Sequence, residues 1–474
     1  MRILAQLKRV FECTDGDPDI REVVSGKAVT DKAVERFKQI GVSLDMKDIA
    51  FIWEIPYECT LYITALLLKD KITLPDGVAE KAENYPLLKL WRRYVEVAMQ
   101  SVCSCQPSEN IVTTNSALNN WRKRRIAAAK SELGHFGNVI SHPLYAFELS
   151  SGCGVGCWFC SFATDKLKDV LDYETNKDYF AAVIGRCVEL FGKQGAGSAL
   201  PYYRTEPHDN PHYIDYLKDF EEITGSVLCT STAVGNDKDW VKALLAYYGD
   251  KSPWPRLSVL SVGMLKTIYE NFTPEELIHR QLLMQMKENL RPKVSGGRIL
   301  EEKSGIRDIS PDADIKQTIV PQGSIACASG FLINLVRRTI DVFSPCYTSA
   351  KWPYGYRVFD SAVYEDENDF PIVIQKLINK NMHMSPPMDK PLRFRDDMVY
   401  KKTDAGFDLV TPNQIHHFRL KDKCGPVGEL INSGNMTNAE IQRKLIDEHG
   451  INPFVVGASI QKLFDDGMID EVYS

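Results

Sequence analysis

Three cysteines in one short glycine-rich segment constrain this chain more than any other feature of its sequence. Cys153, Cys157 and Cys160 follow the spacing Cys-x3-Cys-x2-Cys, and three interspersed glycines let the backbone fold closely around a bulky group. Structural zinc sites need four ligands, and no second Cys-x2-Cys or suitably spaced histidine pair occurs in the sequence. Three thiolates on a four-iron cluster instead leave one iron open for a ligand. We expect an iron-sulfur site here, with a zinc knuckle or three buried cysteines as alternatives.

The segment around these cysteines predicts an α/β fold. From about residue 144 short apolar strands alternate with helices, as in YAFELS, DYFAAVIGRCVELFGKQ, GSALPYY and NPHYIDYLKDFEEI. This alternation implies parallel strands with crossover helices, hence an α/β barrel or part of one. The cysteines directly follow the first strand, and barrels carry their chemistry at the carboxyl ends of strands.

The sequence divides into four expected units, which are an N-terminal helical domain (1–138), the barrel (139–345), an irregular extension over the active site (346–396) and a small α+β module (397–474). Within the barrel region FLINLVRRTIDVF predicts a helix, and the polar stretch 290–325 predicts a linker. In the last unit Thr437 and Glu440 form a capping box, and Gly450 marks a helix end.

Charge and apolar patterning exclude two classes of partner. Since 57 Lys and Arg face 63 Asp and Glu, the net charge of -6 provides no general attraction to nucleic acid or anionic lipid. The N-terminus lacks a secretory signal, and no run of about 18 apolar residues predicts a membrane span. We expect a cytoplasmic protein whose 12 cysteines serve as metal ligands, catalytic thiols or buried side chains rather than disulfides.

The cysteine spacing after the first strand resembles the radical S-adenosylmethionine (SAM) superfamily. Its members have a partial (β/α)6 barrel and one 4Fe-4S cluster whose open iron binds SAM. The resemblance implies that the three cysteines hold the cluster and that Phe159 lies against the adenine. In YRTEP, Thr205 and Glu206 take the place of a Gly-Gly-Glu-Pro-like motif that binds the SAM amino group, although the glycine pair is absent and a surface turn is the alternative. Later strand ends supply implied contacts to the ribose or carboxylate, namely Thr230, Ser231, Ser258 and Ser261.

A wider resemblance covers roughly residues 140–365. The stretches YAFELSSGCGVGCWFCSFA, YRTEPHDNPHY, IACASGFLINLVRRTIDVFSPC and KWPYGYRVF together resemble radical SAM peptide epimerases of the proteusin-maturing type. This implies a ribosomally made precursor peptide, with leader and core, as substrate and a reductant such as flavodoxin or ferredoxin. Other radical SAM peptide modifications, such as crosslinking, decarboxylation or backbone excision, are the alternative. A third class is a metal-binding scaffold without catalysis.

Inversion of a residue requires a hydrogen donor opposite the radical, and a thiol can give a hydrogen atom to a carbon radical. Cys346 in SPCYTSAKW is the expected donor, because Pro345 and the irregular aromatic segment predict a loop over the barrel mouth. Cys327 in IACASGF is the second choice, since its small apolar neighbours are typical of a core.

The final unit is similar to the winged-helix domains with which peptide-modifying enzymes recognise leaders. In such domains an extended peptide adds a strand to a sheet edge beside a helix. A DNA-reading winged helix is one alternative, but PFVVGASIQKLFDDG carries a single Lys and two Asp, which disfavours it. A purely structural cap is another.

Overall fold

A computed structural model describes residues 1–26, 29–54, 84–104, 111–138, 140–289, 293–303, 319–320, 323–419 and 425–473. Its first part is helical, with α1 (Arg2–Gly16), α2 (Pro18–Ser25), α3 (Asp31–Gln39), α4 (Phe51–Glu54), α5 (Pro86–Ser104), α6 (Ser116–Leu133) and α7 (His135–Asn138). Apolar residues at helical spacing, among them Leu7, Val10 and Phe37, give these helices a core of their own. None of the helices in the described ranges is both long and apolar enough to cross a membrane.

The central region is mixed α/β. Its elements are β1 (Tyr145–Glu148), β2 (Ser150–Ser151), β3 (Asp169–Val170), α8 (Tyr173–Ala196), β4 (Ala199–Leu200), α9 (Tyr213–Thr224), β5 (Ser231–Thr232), α10 (Lys238–Tyr248), β6 (Arg256–Val259), α11 (Val262–Asn271), β7 (Gln281–Met284), β8 (Lys293–Val294), α12 (Arg298–Lys303), β9 (Ile319–Val320) and β10 (Gly330–Asn334). Strands β4, β1 and β10 are parallel in one sheet, and β5, β6 and β7 are parallel in a second. Over the described residues the strands do not close into a barrel.

The two faces of the parallel strands meet different surroundings. Phe147 on β1 packs on the side of α8 and α9, whereas its neighbour Ala146 faces the opposite side together with Tyr203. On β6, Leu257 packs with α11, so the adjacent Arg256 points away from that helix. Arg256 contacts Tyr202, which follows β4, and this contact joins the inner sides of the two sheets. We call this shared inner side the interior.

The segment FLINLVRRTIDVF is a β-hairpin, and the predicted helix is wrong. Strand β10 pairs antiparallel with β11 (Thr339–Pro345), and Arg338 in the turn has a left-handed backbone with a φ of 55°. Phe331 and Ile333 face the helices while Leu332 faces the interior. An apolar run this short fits both the helical and the strand period of hydrophobic residues. Pairing with β1 makes the start of this segment a strand.

Residues 346–396 are also more regular than expected. Strand β12 (Tyr356–Val363) pairs with β11 at the sheet edge, and α13 (Asp369–Asn381) packs Phe370 and Ile374 on the outer apolar core. An edge strand with a solvated side carries mixed polar residues, so its pattern in the sequence is weak.

The C-terminal module contains β13 (Val399–Thr403), β14 (Gly406–Val410), β15 (Ile415–Arg419), α14 (Gly425–Ser433), α15 (Asn438–Asp447) and α16 (Pro453–Asp465). The three strands form one antiparallel sheet, whereas the sequence predicted two strands here and a last one at MIDEVY. The latter contributes an isolated bridge between Phe394 and Ile469. The capping box of Thr437 and Glu440 is confirmed.

Candidate functional site

The loop that carries the three cysteines follows β1 and depends on its glycines. Gly152 and Gly156 have positive φ angles of 95° and 68°, which other residues rarely adopt. A Cβ on Gly154 would lie 2.3 Å from Oδ1 of Asp209, and the Gly154 N–H donates to Oδ2 of Asp209 at 2.7 Å. Asp209 therefore ties the cysteine loop to the short turn that follows β4.

The three thiols lie close enough to influence one another. Burial, and then the proximity of Cys160 and Cys153, raises the pKa of Cys157 to about 12. Metal binding reverses this effect, because the thiolate is the ligand. In the described part of the chain no three Cys, His, Asp or Glu side chains converge on a point suited to a single ion. The thiolates of a four-iron cluster bind different irons, so a cluster does not require such convergence.

Arg298 on α12 holds the backbone of the cysteine loop. Its Nη1 donates to the Cys157 carbonyl at 2.6 Å and its Nη2 to the Thr164 carbonyl at 2.8 Å, while its own N–H donates to the Cys160 carbonyl at 3.0 Å. Sequence reasoning missed this residue, because one arginine in a polar stretch read as a linker has no spacing signal. Residues 304–318 of that stretch lie outside the described residues.

Several buried polar atoms around the loop have no hydrogen-bond partner in the described ranges, namely Trp158 Nε1, Ser161 Oγ, Thr164 Oγ1 and Arg298 Nε. Buried polar atoms are nearly always paired, so these groups near the cysteine loop have hydrogen-bonding capacity left for a further polar partner. The sulfurs of an iron-sulfur cluster accept hydrogen bonds of this kind. The residues present therefore fit a cluster.

Glu206 in YRTEP is held by the neighbouring strand. Its carboxylate accepts hydrogen bonds from Ala233 N at 2.8 Å, from His208 N at 3.1 Å and from the Thr232 hydroxyl. Burial raises the pKa of Glu206, although these bonds oppose the shift. A carboxylate has about four acceptor positions, so one remains for a ligand amino group.

A cavity of ≈ 290 Å³ lies between the cysteine loop and the turn after β4. Gly152 and Phe162 line one side, and Arg204, Thr205 and Glu148 line the other. Arg204 has a left-handed backbone with a φ of 56°, a strained conformation that often marks a functional turn. Thr205 was expected at a binding site from the sequence, whereas Glu148 and Arg204 beside it were not.

Phe159 lies next to the third cysteine. Its ring packs edge-on against Trp158, with ring centres 5.4 Å apart, and Nζ of Lys293 lies 5.2 Å from its ring centre. Stacking of Phe159 on an adenine stays a prediction.

The strand-end hydroxyls expected near SAM separate into two groups. Ser231 on β5 is the register partner of Arg256 on β6, and Ser258 lies two residues after Arg256 on β6. Ser231 and Ser258 therefore share the interior face with Arg256. Thr230 instead bonds tyrosine hydroxyls of α9 and α10 at 3.0 and 2.8 Å. Ser261 caps α11 by accepting a backbone N–H at 3.1 Å. Packing and capping account for Thr230 and Ser261.

The two expected hydrogen donors have different surroundings. Cys346 is 0% exposed, and its Sγ donates to the Tyr347 carbonyl at 3.3 Å among charged groups that include Arg357. Cys327 is partly accessible and packs in the interior with Tyr203. Of the two thiols, Cys327 faces the interior.

A groove in the C-terminal module runs between β15 and α16. Phe407 and Phe418 line the sheet side, Phe454 and Val455 line the helix side, and the groove encloses ≈ 550 Å³. Strand β15 is at the edge of its sheet, and Phe454 is 87% exposed. An edge strand beside exposed apolar side chains is suited to binding an extended peptide.

Comparison with known proteins identifies a relative over nearly the whole length. The chain is 31% identical to the uncharacterized protein y4wI of Sinorhizobium fredii (strain NBRC 101917 / NGR234) over 480 residues, which cover 99% of this chain and 88% of that protein. A family described as Protein y4wI C-terminal domain matches residues 392–467, which include β13 to β15 and α14 to α16. No solved structure matches the chain.

Proposed function

The chain belongs to the family of protein y4wI, and we propose that it is a radical SAM peptide epimerase that converts L-residues to D-residues in a ribosomally made peptide. In this proposal the parallel strands form a partial (β/α)6 barrel. The observation that carries it is the arrangement of Cys153, Cys157 and Cys160 in a glycine loop directly after β1, beside unpaired buried polar atoms and a cavity bordered by Thr205.

A 4Fe-4S cluster on the three cysteines would, when bound, supply the electron that cleaves SAM to a 5′-deoxyadenosyl radical. The chain's own residues prepare the place for it. Arg298 and Asp209 hold the loop backbone by four hydrogen bonds. Glu206 would bind the amino group of SAM at its remaining acceptor position, and the unpaired hydroxyl of Ser161 would be available to a sulfur of the cluster.

Inversion then needs two hydrogen transfers. The Cα–H bond of the peptide breaks and its hydrogen atom ends on 5′-deoxyadenosine, leaving a radical at Cα. The S–H bond of a donor thiol breaks next and a new Cα–H bond forms on the opposite face. The resulting thiyl radical returns to a thiol by taking one electron from the reductant and one proton from solvent.

We assign the donor to Cys327, the second choice from the sequence. Its partial accessibility in the interior lets it meet a substrate, whereas Cys346 is enclosed. Burial raises the pKa of Cys327 to about 11, so the thiol keeps its hydrogen near neutral pH. That protonated form is the one a hydrogen donor requires.

The groove between β15 and α16 binds the leader of the peptide in this proposal. Backbone groups of β15 pair with an added strand, and the apolar walls around Phe418 and Phe454 take alternate side chains. The leader then tethers the peptide and raises the local concentration of its core.

The test is anaerobic reconstitution of the full chain, followed by turnover with its precursor peptide in deuterium oxide. We expect iron and sulfide in a ratio suited to one 4Fe-4S cluster, release of 5′-deoxyadenosine, and one deuterium at every residue found to be D by chiral analysis. A peptide mass change other than deuterium would contradict inversion, and absence of 5′-deoxyadenosine would contradict radical SAM chemistry.

A further inference from the structure

The interior face of the second parallel sheet carries polar side chains on all three strands, together with Leu283 on β7. Ser231, Arg256 and Gln281 are register partners across β5, β6 and β7, and Ser258 follows on the same face of β6. These four side chains are partly accessible, whereas Leu257 between two of them is buried against helices. Four of the five side chains that these strands place on this face are polar, which is unusual for a face that only packs in a core.

Arg256 is the cation of this face, and it has no carboxylate partner among the described residues. Its Nη2 contacts the Tyr202 hydroxyl, and its Nε is buried without a hydrogen-bond partner. The groups that act most strongly on its charge are Tyr202, Cys229 and Cys327, and no Asp or Glu is among them.

Two neighbours of Arg256, Tyr202 and Cys327, do not supply a negative charge near neutral pH. Burial raises the pKa of Tyr202 well above its usual range, and burial raises the pKa of Cys327 to about 11. Both groups therefore stay protonated and do not serve as counterions of the guanidinium. The guanidinium is only partly accessible to water and has no carboxylate beside it among the described residues, so an anion from outside the chain is its natural complement.

We propose that Arg256 binds a carboxylate of the ligand that occupies the interior. Guanidinium binds carboxylate through two parallel hydrogen bonds, and Ser231 and Gln281 flank it with further polar groups. This inference rests on the proposed function, under which the ligand is the peptide and the carboxylate is an Asp or Glu side chain, or a free C-terminus, beside the reacting residue.

The surroundings that Arg256 shares with the proposed donor thiol favour the peptide over SAM as the source of the carboxylate. Tyr202 contacts Arg256 and packs on the same interior cluster as Cys327. Cys327 lies near Arg256, and a carboxylate held there would bring its neighbouring residue to the donor thiol.

The experiment uses the full chain and two pairs of probes. Binding of N-acetylglutamate N-methylamide and of its glutamine analogue is compared by saturation-transfer NMR, and binding of SAM and decarboxylated SAM is compared by equilibrium dialysis. The variants are Arg256→Gln, Arg256→Lys as the conservative change, and Lys266→Gln on an exposed position of α11 as a control that removes one positive charge elsewhere. Thermal unfolding checks that each variant folds.

We expect the wild type and Lys266→Gln to prefer the glutamate probe by about tenfold or more, and Arg256→Gln to lose this preference. Arg256→Lys keeps the positive charge without the two-pronged geometry, so part of the preference for the glutamate probe should remain. If Arg256→Gln does not fold, a reduced preference in Arg256→Lys tests the proposal instead. If Arg256→Gln instead loses the preference for SAM over decarboxylated SAM, the carboxylate belongs to SAM.

Equal binding of both probe pairs by wild type and variants would overturn the proposal. Neither measurement needs radical chemistry. A failure of the proposed function would appear separately, as absence of 5′-deoxyadenosine from the reconstituted wild type.

Discussion

Arg204 and Glu148 form a two-pronged ion pair in the wall of the cavity beside the cysteine loop, with Nε to Oε1 at 2.9 Å and Nη2 to Oε2 at 3.3 Å. Glu148 is the last residue of β1, and Arg204 lies in the turn after β4. The ion pair therefore joins the start of the cysteine loop to the turn that contains Thr205. Nη1 of Arg204 also donates to the Tyr356 hydroxyl at 3.1 Å, which adds β12 to the same network.

Replacement of Arg204 by methionine should destabilise the protein by about 3 kcal/mol, because Glu148 is buried and loses its main counterion. Urea unfolding measures the effect. The matched control is Arg186→Met, which breaks an exposed pair with Glu189 on α8 and should change the free energy of unfolding by less than about 0.5 kcal/mol. Equal losses of unfolding free energy in the two variants would show that the pair of Arg204 and Glu148 stabilises the protein no more than an exposed pair does.

Arg298→Met should lower the iron content of the reconstituted protein. The variant loses the side-chain hydrogen bonds to the Cys157 and Thr164 carbonyls, so the loop no longer holds its thiols in one arrangement. Iron and sulfide assays measure the occupancy, and Lys218→Met on the exposed face of α9 serves as the control. Full cluster content in Arg298→Met would remove this arginine from the site.

His142 should make stability depend on pH. Burial, and then Arg122, lowers the pKa of His142 to about 3, while an unfolded histidine titrates near about 6.5. Between these values the unfolded state binds more protons, so stability is lost as the pH falls below about 6.5, by about 2 kcal/mol between pH 7 and pH 5.

The variant His142→Asn removes this titration and tolerates the left-handed backbone, whose φ is 49°. Urea unfolding at pH 7 and pH 5 should show a smaller loss in His142→Asn than in the wild type. Lys177→Asn on an exposed position of α8 is the control and should keep the full loss. The same pH dependence in all three proteins would disprove the assignment to His142.

Phe454→Ser should weaken binding of the leader peptide by about tenfold while it leaves the free energy of unfolding nearly unchanged, because the ring is already exposed. Fluorescence anisotropy with a labelled leader measures the affinity. Val399→Ser, on β13 at the other edge of the same sheet, is 59% exposed before mutation and should bind as the wild type does. Equal weakening would place the peptide elsewhere.

Cys327→Ala should abolish deuterium incorporation and inversion while 5′-deoxyadenosine is still released, because the radical forms but has no hydrogen donor. Cys346→Ala should retain inversion, with a loss of stability from its enclosed site, and Cys187→Ala in the packed core of α8 provides the control. Loss of inversion in Cys346→Ala alone would return the donor role to the residue that the sequence favours.

The sequence predicted the features that depend on residues close together in the chain. The alternation of strands and helices predicted the mixed α/β centre, and the polar residues Thr437 and Glu440 at helix-capping spacing predicted the start of α15, which is confirmed. Short apolar runs were not decided in this way, since FLINLVRRTIDVF satisfies both helical and strand periods and became a hairpin.

By itself, the sequence determined where three cysteines and their glycines stand after β1, because ligand spacing and backbone freedom are properties of neighbouring residues. Tertiary structure alone decided which distant groups meet them. Arg298 reaches the Cys157 carbonyl across 141 positions of the chain, and Arg204 reaches Glu148 across 56. Such contacts depend on how the strands pair and turn, so no pattern of neighbouring residues predicts them. The orientation of Cys327 and Arg256 toward the interior depends on strand pairing in the same way.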